Sequence, residues 1–298
     1  MSHRRLSAVE LEVAFGRRQV LRGATLDIPR GKRLALLGAN GSGKTTLLRT
    51  LAGSVRPHAG SVLVDGIDVS YSRAGLKTHR QVVQLVAQNP DDQLFAADVS
   101  RDVSFGPMNL GLPEDGVRQR VARALEVLSI EDLASRPIHE LSFGQRKRVA
   151  IAGALAMEPC VILLDEPTAG LDPQGVEEMV AALERLRQAR TTVVISTHDV
   201  DFALSWADSL AVLVDGKVRH GAPTEILSDV GLVASARLRQ PLVLQALAEL
   251  GLPAGAVTDV AGLVTTVRRY GVAVNGFPAA RPIRPSGVDQ DAPVRRSS

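Results

Sequence analysis

The chain has 298 residues, of which 45% are hydrophobic, and 35 lysines and arginines against 32 aspartates and glutamates give it a formal net charge of +3. This composition excludes a disordered chain and a small disulfide-stapled domain, because it supplies apolar surface for a large core and only one cysteine. Aromatic residues make up only 3%, too few for a surface that stacks on exposed bases, so we expect no nucleic-acid partner. No stretch approaches the roughly 20 uninterrupted apolar residues that span a bilayer, so we expect membrane association only through a partner.

Short β-branched runs alternate with segments of helical period in the N-terminal third of the chain. The runs predict strands at Ser7–Val13, Arg33–Leu37, Ser61–Val64 and Val82–Val86. Asp65-Gly66 predicts a tight hairpin turn after the third of these strands, and Asp215-Gly216 predicts another late in the chain. Such alternation is typical of an α/β domain with a mostly parallel sheet.

A glycine-rich loop lies between the predicted strand Arg33–Leu37 and the helical segment Leu47–Leu51. It matches G-x-x-x-x-G-K-[ST], in which backbone N–H groups surround a phosphate and the following helix adds its partial positive charge. Lys44 is expected to reach the β- and γ-phosphates, and Thr45 offers a hydroxyl to Mg²⁺. The alternative, a glycine-rich turn with a solvated lysine, needs a chance match that occurs about once in a hundred such chains. We therefore predict a nucleoside triphosphate site at Gly38, Asn40, Gly41, Ser42, Gly43, Lys44, Thr45 and Thr46.

Residues 98–157 differ from the rest, because they show a helical period and no convincing strand. The apolar face of an amphipathic helix recurs there at Val117, Val121, Ala124, Leu125 and Leu128. Ser142 is a good N-cap for a further helix. We expect a helical subdomain inserted between strands of the α/β core.

Two continuous apolar runs, Cys160–Leu164 and Thr192–Ile195, predict buried central strands. Two carboxylates follow the first run directly. Asp165 suits the hydration shell of Mg²⁺, and Glu166 suits a group that orients and polarises the attacking water. The alternative for an aspartate at a strand end is a helix cap or a turn former.

Polar residues also follow two neighbouring strands. His198 comes after the second central strand, where it can touch the γ-phosphate or the attacking water, and Gln88 closes the strand Val82–Val86. Parallel α/β sheets place ligands at the carboxyl ends of their strands, so we expect both residues to face the nucleotide. The alternatives are a structural histidine and an ordinary loop amide.

The chain after Leu227 has a helical pattern, with an apolar face at Val260, Leu263, Val264 and Val267. From Phe277 onward prolines lie among arginine, serine and aspartate. That composition predicts a solvated tail.

Five motifs together resemble those of one family. Leu141–Gln145, with the sequence LSFGQ, resembles the LSGGQ signature of ABC transporter ATP-binding subunits. Ala169–Pro173 resembles the D-loop of that family, Gln88 its Q-loop and His198 its switch histidine. Phe15 lies where the family stacks an aromatic ring on adenine. The resemblance covers roughly residues 6–227, with the motifs in the family's order.

A finer resemblance is to the cobalt-type, CbiO-like branch of energy-coupling-factor ATPases, and it rests on the segments 88–95, 103–107, 150–159 and 164–173. The fold it implies is α/β: a P-loop ABC-type nucleotide-binding domain with a RecA-like core, an antiparallel β subdomain and an inserted helical signature subdomain. We expect an ABC ATPase domain over 1–237 with the helical subdomain at 98–157, a small helical appendage over 238–276 and a disordered tail over 277–298.

In function, the resemblance implies an ATP-hydrolysing motor subunit of a membrane importer of energy-coupling-factor type for cobalt or nickel ions, with ATP and Mg²⁺ as its ligands. A second ATPase subunit, either a second copy or a paired homologue, is expected to close head to tail over the ATP. The closure drives integral membrane transport subunits, so the chain is expected to lie peripherally on the cytoplasmic face of the cell membrane. A vitamin or another cargo stays open, because the six histidines show no metal-ligand spacing and cargo recognition belongs to another subunit.

The same resemblance assigns roles to single residues. The catalytic residues it implies are Glu166, His198 and Gln88. The residues it implies for Mg²⁺ are Thr45, Gln88 and Asp165. The residues it implies for contact with ATP across the interface with the second subunit are Ser142, Gly144 and Gln145.

Phe143 departs from the family, because it replaces the first glycine of the signature. Glycine allows the backbone to approach phosphate closely and takes positive φ without strain, whereas phenylalanine does not. Gly144 is retained, so closure is expected and only contact through residue 143 stays open.

Five apolar residues near the Q-loop have two interpretations: Leu94, Phe95, Phe105, Met108 and Leu110. In the resembled family, helices of a membrane subunit dock beside the Q-loop. The interpretation we favour is that these residues belong to the core of the helical subdomain, as scattered apolar residues usually do.

Two other classes of function are weighed against the transporter. ABC-type ATPases that act on ribosomes or DNA usually carry two cassettes, coiled-coil inserts or zinc modules, and this sequence has one cassette. A small-molecule P-loop kinase is disfavoured by the signature and by Glu166.

Overall fold

The computed structural model describes residues 4–188, 191–255 and 257–270. Within these ranges, ten strands lie in two sheets: β1 (Leu6–Phe15), β2 (Arg18–Ile28), β3 (Arg33–Leu37), β4 (Ala59–Val64), β5 (Ile67–Asp68), β6 (Val83–Val86), β7 (Val161–Asp165), β8 (Thr192–Thr197), β9 (Ser209–Val214) and β10 (Lys217–Gly221). Among the described residues the helices are α1 (Lys44–Leu51), α2 (Arg73–Val82), α3 (Val99–Asn109), α4 (Glu114–Leu128), α5 (Phe143–Ala156), α6 (Pro173–Gln188), α7 (Val200–Trp206), α8 (Pro223–Ser228), α9 (Val230–Ser235), α10 (Leu242–Glu249) and α11 (Val260–Arg269).

The larger sheet has the strand order β10-β9-β3-β8-β7-β6, and only β10 runs antiparallel to its neighbour. Successive residues of β3 point to opposite faces: Leu34 and Leu36 join one apolar cluster, Ala35 and Leu37 the other. Both faces are buried, which is why the central strands are continuous apolar runs. The predicted strands at Arg33–Leu37 and after Cys160 are confirmed.

The smaller sheet is antiparallel, with the order β2-β1-β4-β5. It packs with α1 on one face of the large sheet, whereas α3, α4, α5 and α6 contribute to the cluster on the other face. The α/β fold is confirmed. The carboxyl ends of β3, β6, β7 and β8 share one edge of the large sheet, because these strands are parallel.

The segment between β6 and β7 is helical, as predicted. Helices α3, α4 and α5 pack against one another. The expected apolar face of α4 is buried, and it consists of Val117, Val121, Ala124, Leu125 and Leu128. Asp98 caps α3 by accepting a hydrogen bond from the Arg101 N–H, which fixes where this helix begins.

Both predicted hairpin turns are present. Asp65 and Gly66 have φ of 52° and 81°, and Asp215 and Gly216 have φ of 49° and 78°. Two consecutive left-handed residues are what a two-residue hairpin with the right-handed strand twist requires.

The C-terminal region is helical through α11, as expected. The tail predicted over 277–298 lies outside the described residues. Within the part of the chain that the structure describes, we find no helix with the length and apolar character of a membrane span.

Candidate nucleotide and signature sites

The glycine-rich loop connects β3 to α1 at the shared sheet edge. Gly38 and Gly43 have φ of 158° and 110°. A Cβ atom at Gly38 would lie 2.7 Å from the Ser42 hydroxyl oxygen, and one at Gly43 would lie 2.7 Å from a Val20 methyl carbon. Only glycine fits at either position, so the loop stays narrow and keeps its backbone close to whatever binds at the N-terminus of α1.

Lys44 points from the first turn of α1 into this site, and its side chain is only 6% exposed. Its Nζ donates a hydrogen bond to the Gly38 carbonyl oxygen at 2.8 Å. It also lies 3.3 Å from Glu166 Oε1. The ammonium is therefore held between the loop and a carboxylate, where a triphosphate would meet its positive charge.

Thr45 lies in the first turn of α1 and Asp165 at the end of β7, and their side chains meet. The Thr45 hydroxyl donates to Asp165 Oδ2 at 2.6 Å. The Ser196 hydroxyl donates to the other carboxylate oxygen, Asp165 Oδ1, and so fixes its rotamer. A hydroxyl and a carboxylate at this spacing fit Mg²⁺, which prefers hard oxygen ligands and keeps several waters.

Glu166 lies between Lys44 and His198. His198 Nδ1 is 3.1 Å from Glu166 Oε2, and the Glu166 side chain is buried whereas that of His198 is exposed. Glu166 has φ of 48°, a left-handed conformation that a non-glycine residue rarely adopts. Its N–H donates to the Ser196 hydroxyl at 3.0 Å, so Ser196 holds both the Asp165 carboxylate and the Glu166 backbone.

A cleft of about 590 Å³ opens at this edge. Eleven predicted site residues line it: Phe15, Asn40, Gly41, Gly43, Lys44, Thr45, Thr46, Gln88, Asp165, Glu166 and His198. Gly38 contributes its carbonyl to Lys44, and Ser42 lines a neighbouring cavity. The residues that the sequence placed at four strand ends therefore come together in one cleft.

The signature residues lie elsewhere. Ser142, Gly144 and Gln145 line a separate cavity of about 420 Å³ that also includes Gly170 and Asp172. Ser142 caps α5 in a capping box: its hydroxyl accepts from the Gln145 N–H at 3.2 Å, and its N–H donates to Gln145 Oε1 at 2.9 Å. A single chain thus does not present its signature to its own cleft.

Phe143 is the first residue of α5, and its φ is not positive. The helix gives residue 143 an ordinary conformation, so this position does not need the positive φ that glycine would allow. A Cβ atom at Gly170 would lie 3.2 Å from Phe143 Cε1, so the ring packs on the D-loop glycine.

The favoured core interpretation of the apolar residues near the Q-loop is wrong for three of them. Phe95 is 63% exposed, Phe105 50% and Met108 63%. The Phe95 and Phe105 rings meet edge to face, with centroids 4.6 Å apart. They line a groove of about 920 Å³ between α2, α3 and α5, and Leu94 and Leu110 line it too.

Four residues of the site were not predicted. Arg18 and Val20 line the nucleotide cleft, Ser196 bonds the Asp165 carboxylate and the Glu166 N–H, and Lys147 donates to the Glu166 carbonyl oxygen at 2.9 Å. Ser196 did carry a signal, since it is a polar residue in a strand that is otherwise largely apolar and buried. Lys147 carried none, because it lies between Arg146 and Arg148 in the sequence. Arg18 carried none.

With this geometry established, comparison with known proteins assigns the class. The chain matches the ABC transporter family over residues 21–169. It is 52% identical over 241 residues to the cobalt import ATP-binding protein CbiO of Rhodobacter capsulatus, covering 80% of this chain and 86% of that protein. The chain belongs to the ABC transporter family of ATP-binding subunits, and it is an ATPase that binds and hydrolyses ATP.

The comparisons also support a branch within the family. The chain is 48% identical over 225 residues to the energy-coupling factor transporter ATP-binding protein EcfA of Methanocaldococcus jannaschii, covering 75% of this chain and 81% of that protein. The structure of CbiO1 from Clostridium perfringens, part of the ABC transporter complex CbiONQ, is similar with a TM-score of 0.71 and 41% identity over 82% of this chain and 98% of that one. The resemblance to CbiO-like energy-coupling-factor ATPases is confirmed.

Proposed function

We propose that this chain is the motor subunit of an energy-coupling-factor importer for cobalt or nickel ions. One observation supports the motor role: the side chains of Lys44, Glu166 and His198 contact one another in sequence in one cleft. The bonded pair Thr45 and Asp165 lies beside them. The cobalt import relative supports the cargo. The described residues form no group of three or more metal-ligating side chains, so we place cargo recognition on another subunit.

The chemistry follows from the positions of the side chains. Lys44 binds the β- and γ-phosphates of ATP, and Glu166 orients a water for attack on the γ-phosphorus and accepts its proton while the bond to ADP breaks. His198 holds the Glu166 carboxylate and contacts the γ-phosphate. Thr45, Asp165 and Gln88 would hold Mg²⁺, which offsets phosphate charge when it is bound.

The second half of the site comes from a second subunit. The N-terminus of α5, capped by Ser142, is a suitable anion-binding end, and it lies in a cavity apart from the nucleotide cleft. A head-to-tail pair brings Ser142, Gly144 and Gln145 of each subunit to the ATP of the other. This chain carries both halves of the site, so a second copy of it can complete two sites, and we propose that pairing.

The groove beside the Q-loop receives the membrane subunits. Its exposed aromatic pair, Phe95 and Phe105, adjoins Gln93, whose side chain accepts from the Ala87 N–H at 2.8 Å and donates to the Leu85 carbonyl at 2.9 Å. A helix docked there touches the segment that leads to Gln88. The chain thus works as a peripheral subunit at the cytoplasmic face of the membrane. We further propose the division into an ATPase domain over 1–237, with its helical subdomain at 98–157, and an appendage over 238–276.

Glu166→Gln tests the motor role. The amide keeps the shape of the side chain but cannot accept the proton, so we expect kcat for ATP hydrolysis to fall about a hundredfold or more while ATP affinity stays within about threefold. Glu177→Gln, on the exposed face of α6, is the matched control and should hydrolyse ATP at the wild-type rate. Hydrolysis by the Glu166→Gln variant near the wild-type rate would overturn the assignment.

Uptake by the intact importer tests the cargo. Cells that express the complete transporter should accumulate radioactive cobalt or nickel, and cells with the Glu166→Gln chain should not. Uptake of a vitamin in place of either metal would overturn the cargo and leave the motor role standing.

A further inference from the structure

Lys147 is a buried cation that the mechanism above does not use. It lies in α5, five residues after the signature serine, and it is only 4% exposed. Its Nζ donates to three backbone carbonyls: Glu166 at 2.9 Å, Pro167 at 3.2 Å and Ala169 at 2.8 Å. An ammonium has three N–H donors, so the whole hydrogen-bonding capacity of Lys147 is directed at the segment that begins with Glu166.

A buried ammonium is costly, which makes a space-filling role a poor explanation. Burial lowers the pKa of Lys147 to about 8. The side chain of methionine would fill the same space without that penalty. What methionine would not supply is the simultaneous attraction of three carbonyls to one point.

That attraction acts where the backbone is under strain. Glu166 is in the left-handed region with φ of 48°, a conformation that costs about 1 kcal/mol or more in a non-glycine residue. Turning its carbonyl toward Lys147 favours this conformation. The same conformation sets the direction of the Glu166 carboxylate, 3.3 Å from Lys44 and 3.1 Å from His198.

Lys147 also lies close to the signature residues at the start of α5. Lys147 Nζ lies 5.2 Å from the centroid of the Phe143 ring, and this ring packs on Gly170 of the D-loop. The signature end of α5, the D-loop and the backbone of Glu166 therefore meet around one ammonium.

We propose that Lys147 is a positioning residue that couples the signature end of α5 to Glu166 of the same chain. When the signature seats on the ATP of the second copy, the shift of α5 is passed through Lys147 to the 166–169 segment and aligns Glu166 in its own cleft. The inference rests on the proposed head-to-tail pair.

Steady-state kinetics of Lys147 variants test the proposed coupling. Lys147→Met removes the donors and keeps the stem, so we expect kcat to fall about tenfold or more while ATP affinity stays within about threefold, and Lys147→Arg to recover part of kcat. Arg120→Met is the matched control: Arg120, on α4, pairs with Glu158 at 2.9 Å and contacts no part of the cleft. It should lower stability and leave kcat unchanged.

Mixed dimers, purified through two different tags, separate action within a chain from action across the interface. When Lys147→Met chains pair with Glu166→Gln chains, the second chain still binds ATP, and the one catalytic glutamate belongs to the chain with the altered Lys147, so the rate should be low. When wild-type chains pair with chains carrying both substitutions, the catalytic glutamate belongs to an unaltered chain, and that site should hydrolyse ATP several-fold faster. Equal rates in the two pairs would overturn the proposal.

The kinetics of the single variant can also overturn the proposed coupling. Lys147→Met with wild-type kcat and a lowered melting temperature would make the lysine purely structural. If that variant does not fold, Lys147→Gln, which keeps two N–H donors, takes its place in the same measurements. Inactivity of every mixed dimer, including the pairs with wild-type chains, would instead point to failure of the head-to-tail pairing itself.

Discussion

Phe143 shows how one residue can depart from a motif without losing the local structure. Because it is the first residue of α5 and its ring packs on Gly170, the side chain leaves the Ser142 cap intact. We expect Phe143→Gly to change ATPase activity by no more than about tenfold, or ~1.4 kcal/mol of barrier. Steady-state ATPase measurements check this, and a hundredfold change in either direction would contradict it.

His79 makes stability depend on pH. Its Nε2 bonds the Leu51 carbonyl at the end of α1 at 2.7 Å, and burial lowers the pKa of its ring. Below the ordinary histidine pKa the unfolded chain binds more protons than the folded chain, so the free energy of unfolding falls as the pH drops.

Titration of one histidine sets an upper limit on this loss of unfolding free energy. The loss should reach at most about 1.4 kcal/mol per pH unit below the unfolded pKa. Urea unfolding between ~pH 7.5 and ~pH 5.5 measures it, and the pH slope should flatten in His79→Gln. His220→Gln, at an exposed site on β10, should keep the wild-type slope. An unchanged slope in His79→Gln would remove His79 as the cause.

At the scale of elements, burial on both faces decided what the sequence could predict. The strand at 33–37 is apolar throughout because helices and the second sheet cover both its faces. β2 was not predicted, since it alternates irregularly, with exposed arginines and a left-handed Gly23 (φ 80°). α2 was not predicted either, because it buries only His79 and Val82. The latter residue was assigned to the next strand.

Burial also decides which residues of the nucleotide site could be predicted from the sequence. Asp165, Glu166 and His198 were predictable, because polar residues stand out directly after buried strands. The contact of Lys147 with the 166–169 segment was not, because it depends on how α5 packs against a loop twenty residues later in the chain. Exposure of Phe95 and Phe105 likewise depends on the packing of α2, α3 and α5, which apolar spacing alone does not specify.

The groove gives a prediction at this scale. Phe105→Glu places a charge on its exposed aromatic pair, so we expect the yield of the chain on affinity-purified membrane subunits to fall about tenfold or more. Val230→Glu adds the same charge at an exposed valine on α9, outside the groove, and should leave the yield unchanged. Equal yields for the two variants would argue against docking at the groove.

At the scale of the whole molecule, the central claim is that a working site combines the cleft of one copy with the signature of another. Each half is complete in this chain, and the two halves occupy separate cavities. The symmetric head-to-tail pair is the arrangement in which one interface completes both sites at once.

The most direct test mixes two inactive variants of the full chain. Lys44→Ala disables the phosphate loop and Gly144→Asp places a carboxylate at the signature, so each variant alone should lack activity. In a mixed dimer, the loop of the second variant and the signature of the first form one intact site. Random pairing then predicts recovery of at most about a quarter of the wild-type ATPase rate, because half of the dimers are mixed and each of these has one intact site of two. A mixture as inactive as its components, with mixed dimers shown to be present, would contradict the shared site.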